Sequence, residues 1–506
     1  MKPVVNSAQM KAIDSYTIQQ VGIPAMVLME RAALHISERV RRHAGRADRI
    51  LAVCGTGNNG ADGIAAARIL FQNAYQADIL IVGDEENASE QAKQQLNIAR
   101  NLGISIDSNM KLDEYTIIID ALFGIGLSRQ VSGIYESIVN EINNGNQTVF
   151  AVDIPSGLSA DSAKPLGTAV KADYTVTFGC NKIGLILYPG CEYAGEVTVA
   201  DIGFPDMAVK KVVPNCFVYE RADIGKLPAR PEYSNKGTYG KVLVIAGSVN
   251  MSGACFLSAK AAYRTGAGLV KVLTVKENRS ALQALLPEAL LSVYDADSHM
   301  DSEEIERIRT DIEWATVIVI GPGIGLGEKS GELLDIVVNR AKVPVIIDAD
   351  GINILAGRLS SGPGRIDEMA QYLPEHTILT PHLKELSRLT DIPVEEISAD
   401  LMGTADRCTC GNRLVFAIKD ARTIVACKNM RYINTSGNCG MATGGSGDVL
   451  TGIIAALVAQ GMELSEAVSL GVYIHGLAGD KAAECKGRYA LIAGDIIDAL
   501  AKVLNE

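Results

Sequence analysis

Short β-branched runs alternate with alanine-rich helical stretches along this chain, as in RILAVCG, ADGIAAARIL and ADILIVG, and later TIIIDALFG and TVFAVDIPSG. Continuous apolar strands separated by helices predict βαβ units around a parallel sheet, buried on both faces. A second series begins at KVLVIAGS and continues through ATVIVIGPGIG, VPVIIDAD and HTILTPH to RLVFAIK and ARTIVACK. Between the two, from about Phe204 to Asn235, prolines and mixed charges interrupt any sustained period. The boundary is therefore expected near Val218, giving domains 1–217 and 218–506. A length of 506 residues also exceeds what one hydrophobic core usually serves.

A formal net charge of -12 removes the broad positive field that a nucleic-acid binder or cationic membrane-surface protein needs. Any phosphate-bearing ligand must be held locally. The amino-terminal MKPVVNSAQMKAIDSYTIQQ has neither the basic-then-apolar order of a signal nor an arginine-rich amphipathic character, and no apolar run is long enough for a bilayer. A cytoplasmic protein is expected. Ten cysteines without a repeated CxxC spacing are expected as buried small hydrophobes. Cys408, Cys410, Cys427 and Cys439 make a poor zinc set, because one CxC pair has no matching second pair.

The densest motif is MATGGSGDVLTG at 441–452, where Asp448 follows a run of glycines and precedes the apolar IIAALVAQG. Successive amides at such a helix start can face a phosphoryl group, and the helix dipole favours negative charge there. An aspartate in the same turn can take a proton from an acceptor hydroxyl. The bland alternative is a glycine-rich helix start whose aspartate complements the dipole.

In the first half, GTGNNG at 55–60 fits the dinucleotide fingerprint GxGxxG between a strand and a helix, with Asp84 after the next strand. Asn58, Asn59 and Asp62 fill that loop with side-chain oxygens, which suits another ligand geometry than a bare pyrophosphate. Asp120 in IIIDALFGIGLSR, and Asp153 with Ser156 in VDIPSG, also close strands. Strand carboxyl ends share one rim, so Asn59, Asp120 and Ser156 could offer hard oxygens to an alkali or alkaline-earth cation. Asp153 is left for acid–base work, although each aspartate alone could equally cap a turn.

GTGNNGADG, DALFGIGLSR, AVDIPSG and TFGCNKIGL resemble the NAD(P)HX epimerase domain. KGTYGKVLVIAGS, GPGIG, DADGINIL, TPH and NCGMATGGSGDVLTG resemble the ADP-dependent NAD(P)HX dehydratase domain. The resemblance covers nearly the whole chain and matches the bifunctional nicotinamide nucleotide hydrate repair family. It implies an α/β fold class, with an N-terminal Rossmann-like parallel-sheet domain and a C-terminal ribokinase-like domain. It further implies repair of NADHX and NADPHX, potassium in the first half, ADP and magnesium in the second, and a homo-oligomer. Neither nucleic acid nor membrane is expected as a partner.

Carried over by position, the resemblance places potassium ligands at Asn59, Asp120 and Ser156 and the acid–base aspartate at Asp153. Its first-half substrate loops fall on Asn58, Asn59, Gly60, Ala61 and Asp62, then on Gly124, Ile125, Gly126, Leu127, Ser128, Arg129 and Gln130. In the second half Ala254, Gly323, His382 and Asp448 match hydrate-contacting positions, with Asp448 as base. The donor nucleotide is expected at Lys419, Asp420, Ala421, Arg422 and Thr423, and at Gly447. The chain departs from the family pattern at Ala61, Leu383, Lys384, Asp420 and Cys439. Two other readings stand beside this one: a ribokinase-like hydroxyl kinase with a fused regulatory half, and a first half that binds without catalysing.

Overall fold

The aliphatic runs form strands buried on both faces, as their unbroken hydrophobicity requires; Ile50 to Cys54 and Val242 to Ile245 are fully enclosed. The computed structural model describes residues 1–108, 110–296, 300–362 and 364–505 and separates into two units between Cys216 and Phe217. The first unit carries β1 (Lys2–Val5), β2 (Arg49–Cys54), β3 (Gln76–Ile81), β4 (Ile106–Asp107), β5 (Ile117–Ala121), β6 (Thr148–Val152), β7 (Tyr174–Phe178), β8 (Asn181–Lys182) and β9 (Glu196–Ala200). Seven of these make an all-parallel sheet in the order β4-β3-β2-β5-β6-β7-β9. The chain changes direction across the sheet between β2 and β5, and such a switch point opens a crevice at the strands' carboxyl ends. Apart from that sheet, β1 pairs in parallel with β8, with Val5 opposite Lys182.

β10 (Cys216–Val218) spans the boundary. The second unit continues with β11 (Lys241–Ile245), β12 (Leu269–Val275), β13 (Leu290–Tyr294), β14 (Val317–Ile320), β15 (Val345–Ile347), β16 (Thr377–Leu379), β17 (Val415–Ile418), β18 (Ile424–Cys427) and β19 (Met430–Ile433). Its nine strands from β11 onward are ordered β13-β12-β11-β14-β15-β16-β17-β18-β19. Pairing is parallel as far as β17 and antiparallel from β17 to β19. That corrects the expectation of a parallel sheet through ARTIVACK: only 419–423 separate β17 from β18, far fewer than the dozen or more residues of a crossover. The helix Ser446–Ala459 is apolar on nearly every side and lies in the core of this unit. It approaches helix Ser252–Arg264 so closely that a Cβ on Gly452 would sit 2.2 Å from the Ser258 carbonyl oxygen.

Several expectations need revision. The stretch 204–235 is not wholly irregular, since it holds helix Asp206–Lys211 and β10. Cys410, Cys439 and Cys485 are exposed and Cys191 is half-buried, so only six of the cysteines act as buried hydrophobes. Asp84 spends both carboxylate oxygens on a local turn, accepting from the Glu86 amide at 2.9 Å and from the Asn87 amide group at 2.8 Å. Among the described residues no helix is long and apolar enough to cross a membrane.

Candidate active sites

In the first unit the crevice is a cavity of about 780 Å³ lined by residues from the loops after β2, β5, β6 and β7 and from the amino-terminal helix. Helix Asn58–Gln72 begins at its mouth, placing Asn58, Asn59 and Asp62 on the cavity wall. Gly60 does not line it. A Cβ there would stand 1.8 Å from the Gly55 carbonyl oxygen, so only glycine lets the helix start fold back onto the loop. Ala61 is also off the wall, fully buried in the core and helical, so the methyl at this departure meets no positive-φ demand. Gly124 through Arg129 line the cavity, whereas Gln130 is exposed outside it.

Asp153 leaves β6 with φ 63, a left-handed conformation costing an aspartate about 1–2 kcal/mol. Contacts to one carboxylate oxygen hold it there. Lys182 Nζ donates to Asp153 Oδ1 at 2.7 Å, and Thr177 Oγ1 donates to the same atom at 3.1 Å. Lys182 is 0% exposed, and its remaining protons go to Thr177 Oγ1 at 2.6 Å and the Phe178 carbonyl at 3.0 Å. A charge so enclosed persists only when paired and fully hydrogen-bonded. Asp14 and Asp62 complete a set of three carboxyls facing the cavity. Burial, reinforced by the Asp153 charge, raises the pKa of both, that of Asp62 well above the usual carboxylate range.

Beneath this wall lies the expected cation site. Asp120 is fully buried and accepts from the Ser156 amide at 2.7 Å and the Leu122 amide at 3.4 Å. Burial pushes its carboxyl up to about 6 against those hydrogen bonds. Ser156 Oγ accepts from the Phe123 amide at 2.9 Å, and Asn59 Oδ1 lies 3.1 Å from where a Gly124 Cβ would stand. The three side chains thus converge on segment 122–124. The buried Asn59 Nδ2 has no partner, and no ammonium or guanidinium pairs with Asp120 among the described residues. A buried anion among oxygen donors fits a hard monovalent cation better than a thiolate- or imidazole-seeking metal.

In the second unit the expected site positions, and Asp348 with them, again follow strand carboxyl ends. Gly323 comes after β14, Asp348 after β15, His382 after β16 and Lys419 after β17. A Cβ on Gly323 would lie 2.9 Å from Ala254 Cβ, so these two expected positions are neighbours. Gly445, at φ 90, turns the chain into helix Ser446–Ala459, a conformation that a Cβ would strain. Asp448 sits in its first turn. Burial, then the charges of Asp348 and Asp350, push its carboxyl up to about 7 despite the opposing pull of Lys419. Lys419 Nζ donates to Asp348 Oδ1 at 2.8 Å, and Thr451 Oγ1 donates to Asp348 Oδ2 at 2.8 Å. A Cβ on Gly447 would stand 3.4 Å from Lys419 Nζ, so the helix start, the lysine and Asp348 form one cluster.

His382 caps helix Leu383–Thr390, its Nδ1 accepting from the Glu385 amide at 3.1 Å, and its side chain is half-exposed. Glu385 is buried, with a pKa raised by that burial against the pull of Lys419. Asp420 and Ala421 are exposed at the tip of the β17–β18 hairpin, where water screens the extra charge. Arg422 donates to the Thr435 carbonyl at 2.9 Å, and the Thr423 carbonyl accepts from the Asn434 amide at 2.9 Å. Residue-by-residue reading missed Asp14, Lys182, Asp348, Thr451 and Glu385. TFGCNKIGL and DADGINIL offered a signal for two of them, a charged residue at the close of an apolar strand.

Comparison with known proteins agrees with this division. Residues 25–184 match the family described as YjeF-related protein N-terminus, and residues 242–502 match the family described as NAD(P)H-hydrate dehydratase. The bifunctional NAD(P)H-hydrate repair enzyme Nnr of Thermofilum pendens is 34% identical, over 99% of this chain and 96% of its own. That of Coxiella burnetii is 34% identical over the whole of both chains. A ribokinase-like superfamily protein from Enterococcus faecalis, solved at 1.80 Å, is 30% identical with a TM-score of 0.51, covering 57% of this chain and 96% of its own. With two family matches in tandem and relatives 34% identical over nearly their full length, the chain belongs to the family of bifunctional NAD(P)H-hydrate repair enzymes.

Proposed function

We propose that this chain returns hydrated NADH and NADPH to service in two steps, epimerising the hydrates in the first unit and dehydrating the S hydrate with ADP in the second. The observation that carries the reading is the Asp448 carboxyl, pushed up to about 7 at the start of a glycine-preceded helix and beside Lys419. A carboxylate of that strength is matched to removing a hydroxyl proton near neutrality.

In the hydrate the added hydroxyl stands on a ring carbon bonded to nitrogen. The nitrogen lone pair expels it, leaving an iminium, and water returns to either face. Asp153, which lines the cavity with its Oδ1 tied to Lys182 and Thr177, would act as the base for that water through its other oxygen. Asn59, Asp120 and Ser156, with neighbouring backbone carbonyls, would hold potassium under the substrate loop. The ion would supply a fixed positive charge that neutralises Asp120 and keeps 122–124 in place.

Dehydration needs a better leaving group than hydroxide. Asp448 takes the hydroxyl proton while the oxygen attacks the terminal phosphorus of ADP, and AMP departs. The nitrogen lone pair then expels phosphate, and loss of a proton from the adjacent carbon restores the ring double bond. Amides at Gly445 and Gly447, at the start of helix Ser446–Ala459, would face the transferred group, each well-placed donor contributing about 3 kcal/mol. Lys419 and the hairpin to Thr423 would hold the donor nucleotide. Magnesium bound to its phosphates would supply further charge neutralisation, held by those phosphates more than by Asp348, which is already committed to Lys419 and Thr451.

Incubating mixed hydrate epimers with the full chain, ADP and magnesium, and following the return of NADH absorbance, tests the whole reading. Recovery should be complete for the parent and stall at the S fraction for Asp153→Asn. A stable phosphate ester in place of restored NADH would instead favour a hydroxyl kinase.

A further inference from the structure

We propose that Asp14 is the proton donor of the epimerisation, acting against Asp153 as base, and that Lys182 is the positioning residue that keeps the two carboxyls in different roles. This rests on the cavity of the first unit being the epimerase site. It goes further by assigning a second catalytic residue and a division of labour.

Three carboxyls, from Asp14, Asp62 and Asp153, face one cavity with a single enclosed ammonium, that of Lys182. Lys182 spends all three protons on Asp153 Oδ1, Thr177 Oγ1 and the Phe178 carbonyl, so its charge serves Asp153 alone. The Asp14 carboxyl has no hydrogen bond or ion pair among the described residues. Like charges crowded around one cation cannot all ionise, so the two carboxyls without it, Asp14 and Asp62, hold their protons more tightly, and their placement decides which one donates. The other charged groups lining the cavity are Lys11 and Arg129, and no salt bridge joins either to Asp14.

Exchange of configuration needs donor and acceptor on separate walls. Asp62 and Asp153 both stand on the rim of the seven-stranded sheet, Asp62 one turn along the helix that carries Asn59. Asp14 comes from helix Ser7–Tyr16, directly after β1, whose pairing with β8 sets Val5 opposite Lys182. One short parallel ladder therefore brings the donor's helix and the acceptor's cation to the same cavity.

The step balances. The carbon–oxygen bond breaks toward oxygen as the nitrogen lone pair forms the iminium, and the Asp14 proton joins the departing oxygen to make water. Water then attacks the other face, the iminium electrons return to nitrogen, and the water proton passes to Asp153. Solvent returns a proton to Asp14 and removes one from Asp153. The reverse epimerisation uses the same residues with roles exchanged.

The test follows a single hydrate epimer with the full chain, scoring epimerisation against pH and dehydration of the S hydrate in the same sample. Asp14→Asn should lower epimerisation by roughly 100-fold or more and leave dehydration intact. Its residual rate should lack the parent's fall at alkaline pH, which reports loss of the donor proton. Asp62→Asn should keep that alkaline fall, and Lys182→Met should shift the profile without abolishing either limb. The proposal is overturned if Asp14→Asn epimerises within threefold of the parent, if it slows but keeps the parental profile, or if Asp62→Asn is the variant that loses the alkaline limb. Should Asp14→Asn fail to fold, the Asp62→Asn and Lys182→Met profiles still decide. If Asp153→Asn also epimerises normally, the reading of the cavity itself has failed. If it does not, only the role of Asp14 has.

Discussion

Lys419 Nζ lies 2.8 Å from Asp348 Oδ1, and Thr451 closes the opposite oxygen of the same carboxylate at 2.8 Å. Asp348 is 1% exposed and Lys419 half-buried, so the pair is shielded from water on the acid's side. Removing Asp348 takes away the hydrogen-bonded counter-ion of Lys419 and leaves it only the charges of Glu385 and Asp448, a loss on the order of 3–5 kcal/mol. Asp348→Ala should therefore lower the melting temperature of the second unit and abolish dehydration, as read by calorimetry and absorbance recovery. A thermogram and rate like the parent's would refute this.

Asp448→Asn keeps the shape of the helix start but removes the base. ADP-dependent dehydration should fall by roughly 100- to 10,000-fold, while epimerisation in the same chain proceeds. Assaying the R and S hydrates separately checks both halves in one preparation.

With the Asp448 carboxyl at about 7, dehydration should decline about tenfold per pH unit below neutrality and level off above it. The linkage to stability runs the other way. The folded state holds this proton up to about pH 7 while the unfolded chain releases it near pH 4, so the contribution is present at low pH and lost as pH rises between those values. Asp448→Asn should therefore melt at or above the parent temperature at pH 8, measurable by differential scanning.

Gly60→Ala forces a Cβ to within 1.8 Å of the Gly55 carbonyl, which the backbone must move to relieve. Epimerisation should be lost and stability reduced by about 1–3 kcal/mol, the range of overpacked core sites. Ala61→Gly, one residue on, should cost only about 1 kcal/mol and leave the rate unchanged.

Replacing potassium with a bulky quaternary ammonium ion should slow epimerisation and spare dehydration from the S hydrate, because Asn59, Asp120 and Ser156 belong to the first unit alone. Equal slowing of both steps would argue against a cation at those oxygens.

Much of this architecture is legible in the order of the residues. The GTGNNG loop sits between a strand and a helix as its glycines demand, and Asp120, Asp153 and Asp448 stand where oxygen-bearing strand ends and a glycine-rich turn suggest. Hairpin β17–β18 and strands β7, β9, β12 and β13 are not legible there, because local pattern does not report pairing. β12, for instance, interrupts its apolar run with Lys271, whose partner Asp311 stands 2.7 Å away on a later helix. Lys182 and Asp14 escape for the same reason. Neither belongs to a motif whose spacing reveals a partner, and only the β1–β8 register brings them together.

The seal around Lys182 has one more consequence. Acetyl donors and amine-directed labels that decorate surface lysines find no path to an ammonium that is 0% exposed. Damage to that residue becomes a signature of prior unfolding.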